Sequence, residues 1–274
     1  MGNAFIVVWR ESLEAMLVIG VLLSWIARQE TPLPLARGLW AGVAAGVGLA
    51  GALGFATWAA QSEFAGAALE KFQLAMVLGA AALILHMVLW MHAHGRHMKR
   101  ELERQAEQAM GAFGIAAIAA LAVAREGAET VVFLYGLGME GETTRLFTGA
   151  AAGFALAVAT AWLVARGARH LNVRTLFRAS EFLLLLIATA LLAAGIDRLI
   201  GMEWLPPIID PLWDTAAWLP DGRGPGRFLA DFIGYRARPA ATLVIAIAAF
   251  WSYALWRMGR IDRMFAHRTN RCHV

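Results

Sequence analysis

Residues 112–138 read AFGIAAIAALAVAREGAETVVFLYGLG. The run contains no proline and is long enough to cross a bilayer as a helix, for which about 20 apolar residues suffice. Yet Arg125, Glu126 and Glu129 lie inside it. A charge at the bilayer centre costs about 2.5 to 3.5 kcal/mol on insertion scales. The stretch therefore reads as a transmembrane helix whose charges face the protein interior and carry the chemistry.

Working outward, six further apolar runs are also about long enough to cross a bilayer. With 112–138 they give seven expected spans: 4–27, 36–60, 71–92, 112–138, 146–166, 179–200 and 240–257. The composition agrees, with 59% hydrophobic residues against 16% charged. The fold class expected is an all-α membrane protein in one domain of 274 residues. The chain start does not read as a cleavable signal, since it lacks a basic n-region and its apolar run is broken by Arg10, Glu11 and Glu14. The single cysteine, Cys272, excludes a disulfide framework and a thiolate cluster.

The connecting segments alternate in charge. Arg28 and Arg37 flank the first loop and Glu63 and Glu70 the second. Arg96, Lys99, Arg100 and Arg104 fill the third, Glu140 and Glu142 the fourth. Arg166, Arg169, Arg174 and Arg178 mark the fifth, and Arg257, Arg260, Arg263, Arg268 and Arg271 the tail. The excess of basic residues on cytoplasmic loops places the N-terminus outside and the C-terminus in the cytoplasm. The net charge of +4 is thus a topology signal, with no nucleic-acid partner implied. The long segment 201–239, rich in Trp, Pro and Gly, becomes an external cap whose Trp204, Trp213 and Trp218 suit the headgroup region.

The sequence also repeats. Arg10-Glu11-Ser12-Leu13-Glu14 matches Arg125-Glu126-Gly127-Ala128-Glu129 at an offset of 115, both as R-E-x-x-E. Gly38, Gly42, Gly46, Ala50 and Gly54 match Gly149, Gly153, Ala157, Ala161 and Ala165 at 111. Glu70 and His86 stand opposite Glu181 and Asp197 at the same 111. Two copies of three spans are inverted in the membrane, an arrangement of secondary transporters with the substrate site at the midplane. The expected organisation is repeat one over 1–95, repeat two over 110–200, the cap over 201–239, and a seventh helix with a basic tail over 240–274. The plainer alternative is that small residues every four positions are ordinary helix-packing stripes.

Within each motif the two glutamates lie three residues apart, on one helix face and about 4.5 Å apart along the axis. Arginine and the second glutamate lie four apart and can pair. If the two motif helices pack antiparallel, Glu11, Glu14, Glu126 and Glu129 converge. An all-oxygen anionic cluster suits a hard cation and offers no soft ligand for Cu(I). Arg10 and Arg125 reduce the formal charge of the cluster to −2. Two buried Arg–Glu pairs serving only as glue would account for one glutamate per motif, and leave the second unexplained.

The paired motifs in spans one and four resemble the high-affinity iron permease family, the oxidase-dependent iron transporters of fungi and bacteria. The resemblance runs along nearly the whole chain. It includes Trp90-Met91, Pro211-Leu212-Trp213-Asp214-Thr215, Gly234-Tyr235 and Arg238-Pro239. It implies import of ferric iron (Fe3+), with Glu11, Glu14, Glu126 and Glu129 as metal ligands and Arg10 and Arg125 in support. It implies no resident cofactor and no enzyme activity. It implies an external donor partner, a multicopper oxidase in fungi or a periplasmic iron-binding or cupredoxin-like protein in bacteria, and a place in the bacterial cytoplasmic (inner) membrane. The family also includes members assigned to lead, so the motif leaves Fe2+, Mn2+ and Pb2+ open.

Four other residues are candidate relays. Glu70 and Glu181 lie near span ends, as relay groups or as interfacial carboxylates. Asp197 reads as a relay, a partner of Arg198 or a helix cap. His86 reads as a proton or metal relay or as a hydrogen-bonded core histidine. His92, His94 and His97 read as part of a solvated basic loop, with a cytoplasmic acceptor site as the alternative. Glu140, Glu142 and the cap residues Asp210, Asp214, Asp221 and Asp231 could concentrate cations, or only complete turns. His267, Cys272 and His273 fall in a tail expected to be mobile. A di-iron membrane enzyme is the rival from another class, but such sites use Glu-x-x-His pairs and no motif glutamate has one. No Walker A pattern is present, so ATP hydrolysis by this chain is not expected.

Overall fold

The computed structural model describes residues 2–94, 98–109, 111–138, 143–166 and 173–271. Nine helices and no strand occur among them: α1 Gly2–Ile26, α2 Pro32–Glu63, α3 Ala67–His94, α4 Met98–Gln108, α5 Gly111–Gly138, α6 Thr143–Ala165, α7 Val173–Gly201, α8 Gly224–Ile233 and α9 Ala241–Arg271. Five are long and apolar enough to cross a membrane: α2, α3, α6, α7 and α9. The other two expected spans, α1 and α5, have 25 and 28 residues. Each carries the three charges of its motif, which sets it apart from a plain apolar span.

Two helices were not expected. The segment around Lys99 and Arg104 was read as a basic loop, but 98–108 is a helix. Its residues are strong helix formers, and Arg104 pairs with Glu101 at 2.6 Å. Leu102, Ala106 and Ala109 turn inward against Leu22, Ile26, Leu39, Ile115 and Ala119. The second is α8, inside the cap. It starts with Pro225 in its first turn and stops at Gly234, which takes φ 72°; proline at the start and a left-handed glycine at the end are the usual signals. Residues 258–271, expected as a mobile tail, continue α9. No proline lies between Trp256 and Arg271, and the Arg260 guanidinium lies over the Trp256 ring at 4.9 Å.

The chain forms two compact units, Met1–Met76 with Arg96–Ser180 and Val77–Gly95 with Glu181–Val274. In the first unit α2 lies along α5 and α1 along α6. Gly38, Gly42 and Gly46 sit against the backbone of Ala112, Ala116 and Ala120, and Gly54 faces Val131. Both series ascend together, so α2 and α5 run parallel. Gly153 of α6 faces the carbonyl of Phe5 and the amide of Trp9, and the Trp9 indole N–H donates to Thr160 Oγ1 at 3.4 Å; α1 and α6 are parallel too. A Cβ on Gly46 would stand 2.8 Å from the Ala120 carbonyl oxygen and 3.1 Å from the Ala124 nitrogen. A Cβ on Gly153 would stand 3.1 Å from the Trp9 nitrogen. Phe5 and Trp9 precede Ala120 and Ala124 by the motif offset of 115. By contact, then, Gly153 corresponds to Gly46, an offset of 107 rather than the expected 111. Because the small residues recur every four positions, the stripe alone does not fix its register.

In the second unit α3 meets α7 where Gly195 lies against Leu78. Ala193 and Ile196 of α7 form a core with Leu243 of α9. The cap is ordered by the residues between these helices. Leu212 N–H donates to the Pro239 carbonyl at 2.8 Å and Thr215 N–H to Ala237 at 2.9 Å. The Tyr235 hydroxyl donates to Leu219 O at 3.0 Å, and Arg238 reaches Asp214 at 2.9 Å. Gly234 packs on Thr189, Ala190 and Ala193, where any Cβ would stand 2.8 Å from that of Ala193.

Candidate metal site

The first motif occupies the middle of α1. Glu11 and Glu14 lie three residues apart and face inward with Arg10; all three are buried. Arg10 Nη1 donates to Glu11 Oε1 at 3.0 Å, and Nη2 stands 2.6 Å from Glu14 Oε1. The second motif sits on α5. Arg125 Nε donates to Glu129 Oε1 at 3.0 Å, with Arg125 46% exposed against 1% for Arg10. Both arginines pair with the glutamate four residues on, as helix geometry allows. The motifs differ in depth: one guanidinium is sealed inside, the other reaches the surface of the unit.

Helices α1 and α5 bring three carboxylates together. One oxygen each from Glu11, Glu126 and Glu129 lies within 4.8 Å of the others. Glu11 Oε2, Glu126 Oε2 and Glu129 Oε2 are buried and receive no hydrogen bond. Glu14, expected as a fourth member, stands outside this group and is engaged by Arg10. Two ionised carboxylates at that separation repel by about 3 kcal/mol at an effective dielectric of about 20. A buried acceptor without a donor loses its solvation without replacement. Both deficits are relieved by one cation among the three. Trans ligands on an ion with metal–oxygen bonds of about 2.1 Å are about 4.2 Å apart, so small side-chain movements close the group on an ion. Arg10 and Arg125 hold one oxygen of Glu11 and one of Glu129, leaving the other oxygens open to a cation.

The expected relays lie elsewhere. Glu70 is exposed in the first turn of α3, where a carboxylate suits the helix dipole. His86 is exposed on α3, which corrects its reading as a core histidine: Leu83 beside it is exposed as well, and the buried face runs through Ile84, Met87, Val88 and Met91. Asp197 accepts from Arg236 Nε at 2.6 Å, so it ties α7 to the cap. Glu181 stands 3.6 Å from His92 Nδ1, and His92 Nε2 lies 3.1 Å from Asp262 Oδ1. Asp262 escaped the sequence reading. Its one signal is to be an acid within an arginine-rich run. His94 lies apart, with Nδ1 3.1 Å from the Trp90 carbonyl and its ring stacked on Trp90.

The cap aspartates have structural partners. Asp214 accepts from Arg238 and from the Ala216 N–H, and these two bonds, the first the larger, hold its carboxyl below the usual range. Asp221 accepts from the Ala237 N–H at 3.2 Å. His97, Glu140, Glu142, Cys272 and His273 lie outside the described residues, as does the His267 side chain.

Comparison with known proteins follows the same lines. The family model described as the Iron permease FTR1 family matches residues 1–260. An uncharacterized protein of Archaeoglobus fulgidus is 30% identical over 283 residues, covering 100% of this chain and 99% of its own. The protein named ferrous iron permease EfeU in Escherichia coli O6:H1 is 28% identical, covering 88% of each chain. The iron permease EfeU of Bacillus subtilis is 30% identical over 80% of this chain and 45% of its own. No solved structure matches. With nearly its whole length matched and five of its described helices long and apolar enough to cross a membrane, the chain is a multi-pass membrane protein that belongs to the iron permease family.

Proposed function

We propose that this protein imports iron across the bacterial cytoplasmic membrane, taking Fe3+ at the carboxylates of Glu11, Glu126 and Glu129. Arg10 and Arg125 orient them, and Glu14 holds Arg10 in place. The observation that carries this reading is the group of three carboxylates within 4.8 Å, Glu11 and Glu126 buried and Glu129 half-buried, each with a buried oxygen lacking a hydrogen-bond donor. Nothing in a packing role calls for that arrangement. Hard oxygen donors favour a small, highly charged cation.

The chain crosses the membrane seven times, with α1 and α5 as the charged spans, the N-terminus outside and the C-terminus in the cytoplasm. Support for two inverted repeats comes from the exchanged packing: α1 of one half lies on α6 of the other, and α5 on α2, with Gly153 and Gly46 in matching contacts. The carboxylates of the site come from both halves, and alternating access follows by analogy with inverted-repeat transporters. An external iron-binding or oxidase-type protein delivers the ion to the cap side.

A second reading is favoured by the names of the Escherichia coli relatives, which are called ferrous iron permeases; here Fe2+ is the ion carried. Uptake of radioactive iron into proteoliposomes, offered as chelated ferric or ascorbate-reduced ferrous ion, separates the two. Ferric uptake lost in Glu126→Gln and Glu129→Gln is the expected result. Uptake only of the reduced ion selects the second reading, and uptake unaffected by both substitutions refutes the site.

A further inference from the structure

The second unit contains a cluster that the carboxylate site does not use. His92 near the end of α3 stands between Glu181 of α7 and Asp262 of α9. The two contacts are unlike. Nε2 lies 3.1 Å from Asp262 Oδ1, a hydrogen-bond distance, whereas Nδ1 lies 3.6 Å from Glu181 Oε2. N–H···O bonds span about 2.7 to 3.2 Å, so the second contact is too long for one. Two ligands about 2.1 Å from one ion, with a ligand–metal–ligand angle of about 110° to 120°, stand about 3.4 to 3.6 Å apart. The Nδ1–Glu181 gap has that width.

The Asp262 contact completes the pattern. A histidine that binds a metal almost always gives its other ring N–H to a carboxylate or carbonyl, which fixes the tautomer and turns the free lone pair to the ion. With the Nε2–H donating to Asp262, the Nδ1 nitrogen carries a lone pair and has Glu181 Oε2 3.6 Å away. Two acceptors facing each other across 3.6 Å repel unless something positive lies between them. His92 and Glu181 are only 24% and 17% exposed, while Asp262 is 63% exposed.

We infer that His92 and Glu181 form a second cation site, with Asp262 as its orienting carboxylate, for a divalent transition-metal ion of the Fe2+ and Mn2+ class. Resting on the proposed orientation, the site lies at the cytoplasmic end, where an ion leaves the protein. Imidazole is a softer donor than carboxylate and shifts preference from Fe3+ toward divalent ions. Two protein ligands leave the remaining positions to water, which makes the site labile and suited to release.

The test uses the full-length protein in nanodiscs with Mn2+ as the paramagnetic probe, read by electron spin echo modulation. The glutamate group offers no coordinating nitrogen, only guanidiniums bonded to its carboxylates, so the stronger 14N coupling of a directly bound imidazole is the signal that reports the second site. Coupling is expected in the wild type and in a Glu126→Gln, Glu129→Gln double variant, and it disappears in His92→Gln. Asp262→Asn retains the coupling but weakens Mn2+ about tenfold or more. Glu181→Gln weakens it as well, which keeps the test intact if His92→Gln fails to fold. Absence of 14N coupling in the wild type, or coupling unchanged in His92→Gln, overturns the inference and leaves His92 as an imidazolium clip between two carboxylates. Iron uptake is a separate readout, so failure of the import proposal and failure of this site are distinguishable.

Discussion

Arg10 Nη2 stands 2.6 Å from Glu14 Oε1, with the guanidinium side chain only 1% exposed. The corresponding contact on α5, Arg125 to Glu129, is 3.0 Å and leaves Arg125 46% exposed. Chemically equivalent pairs therefore carry different structural weight. Removing one partner of a sealed pair strands the other charge, at a cost of about 3 to 5 kcal/mol. Exposed pairs contribute about 1 kcal/mol or less. Arg10→Met is expected to lower the thermal midpoint of the detergent-solubilised protein sharply, and Arg125→Met only slightly. Equal shifts for the two would show that the difference in depth has no energetic meaning.

Glu14 and Glu126 separate structure from function. Glu126 belongs to the mutually repelling group of three, so Glu126→Gln is expected to abolish iron uptake while leaving the thermal midpoint unchanged or higher. Glu14→Gln weakens the main contact of a buried guanidinium, so uptake and stability should fall together. Uptake and melting curves on the same preparations check this, and a marked loss of stability in Glu126→Gln would contradict it.

The glycine contacts predict a positional contrast. Any side chain at Gly153 would collide with the Phe5 carbonyl, and nothing lies within 4 Å of a Cβ at Gly48. Gly153→Ala is expected to cost about 1 to 3 kcal/mol, as overpacking does. Gly48→Ala should be neutral or mildly stabilising, because alanine is the better helix former. Thermal unfolding of the two single variants decides the matter.

Acid should loosen the cap. The Arg238 and Ala216 bonds to Asp214 lower its folded pKa relative to the unfolded chain. A depressed carboxylate stabilises the fold fully above the unfolded value of about 3.9 and loses that contribution as pH falls through the folded value. Amide hydrogen exchange at Thr215 and Ala237 should therefore accelerate, after correction for intrinsic rates, as pH drops below about 4. The acceleration should be absent in Asp214→Asn, whose cap is looser at neutral pH; a wild-type cap equally protected at pH 3 would refute the role of the pair.

Much of this was legible in the sequence because its causes are local. Long apolar runs locate the helices, and R-E-x-x-E spacing places charges on one face whatever the rest of the chain does. What stayed hidden depends on side chains meeting across distance. The Arg10–Glu14 pair follows from spacing, but nothing local tells that Glu11 joins Glu126 and Glu129 while Glu14 stays outside the group. Asp197 meets Arg236 39 positions away, and Arg198, its neighbour in sequence, was the natural guess. His92 gains its meaning only from Glu181 and from Asp262, the latter 170 positions on. The helix of 98–108 was masked by its charge, which reads as loop when amphipathic periodicity is short.

The glycine contacts between α2 and α5 extend to the edge of the charged group, where Gly127, next to Glu126, touches Ala50. Backbone meets backbone at Gly38, Gly42 and Gly46, and at Gly127 it meets the methyl group of Ala50, with no rotatable side chain between. The spacing of the helix that carries two of the three carboxylates is thus set by van der Waals radii, which do not relax, and not by rotamers, which do. Such a seam works as a fixed gauge, and in the proposed site the tolerance for ions of different radius would rest on uncharged residues outside the carboxylate group.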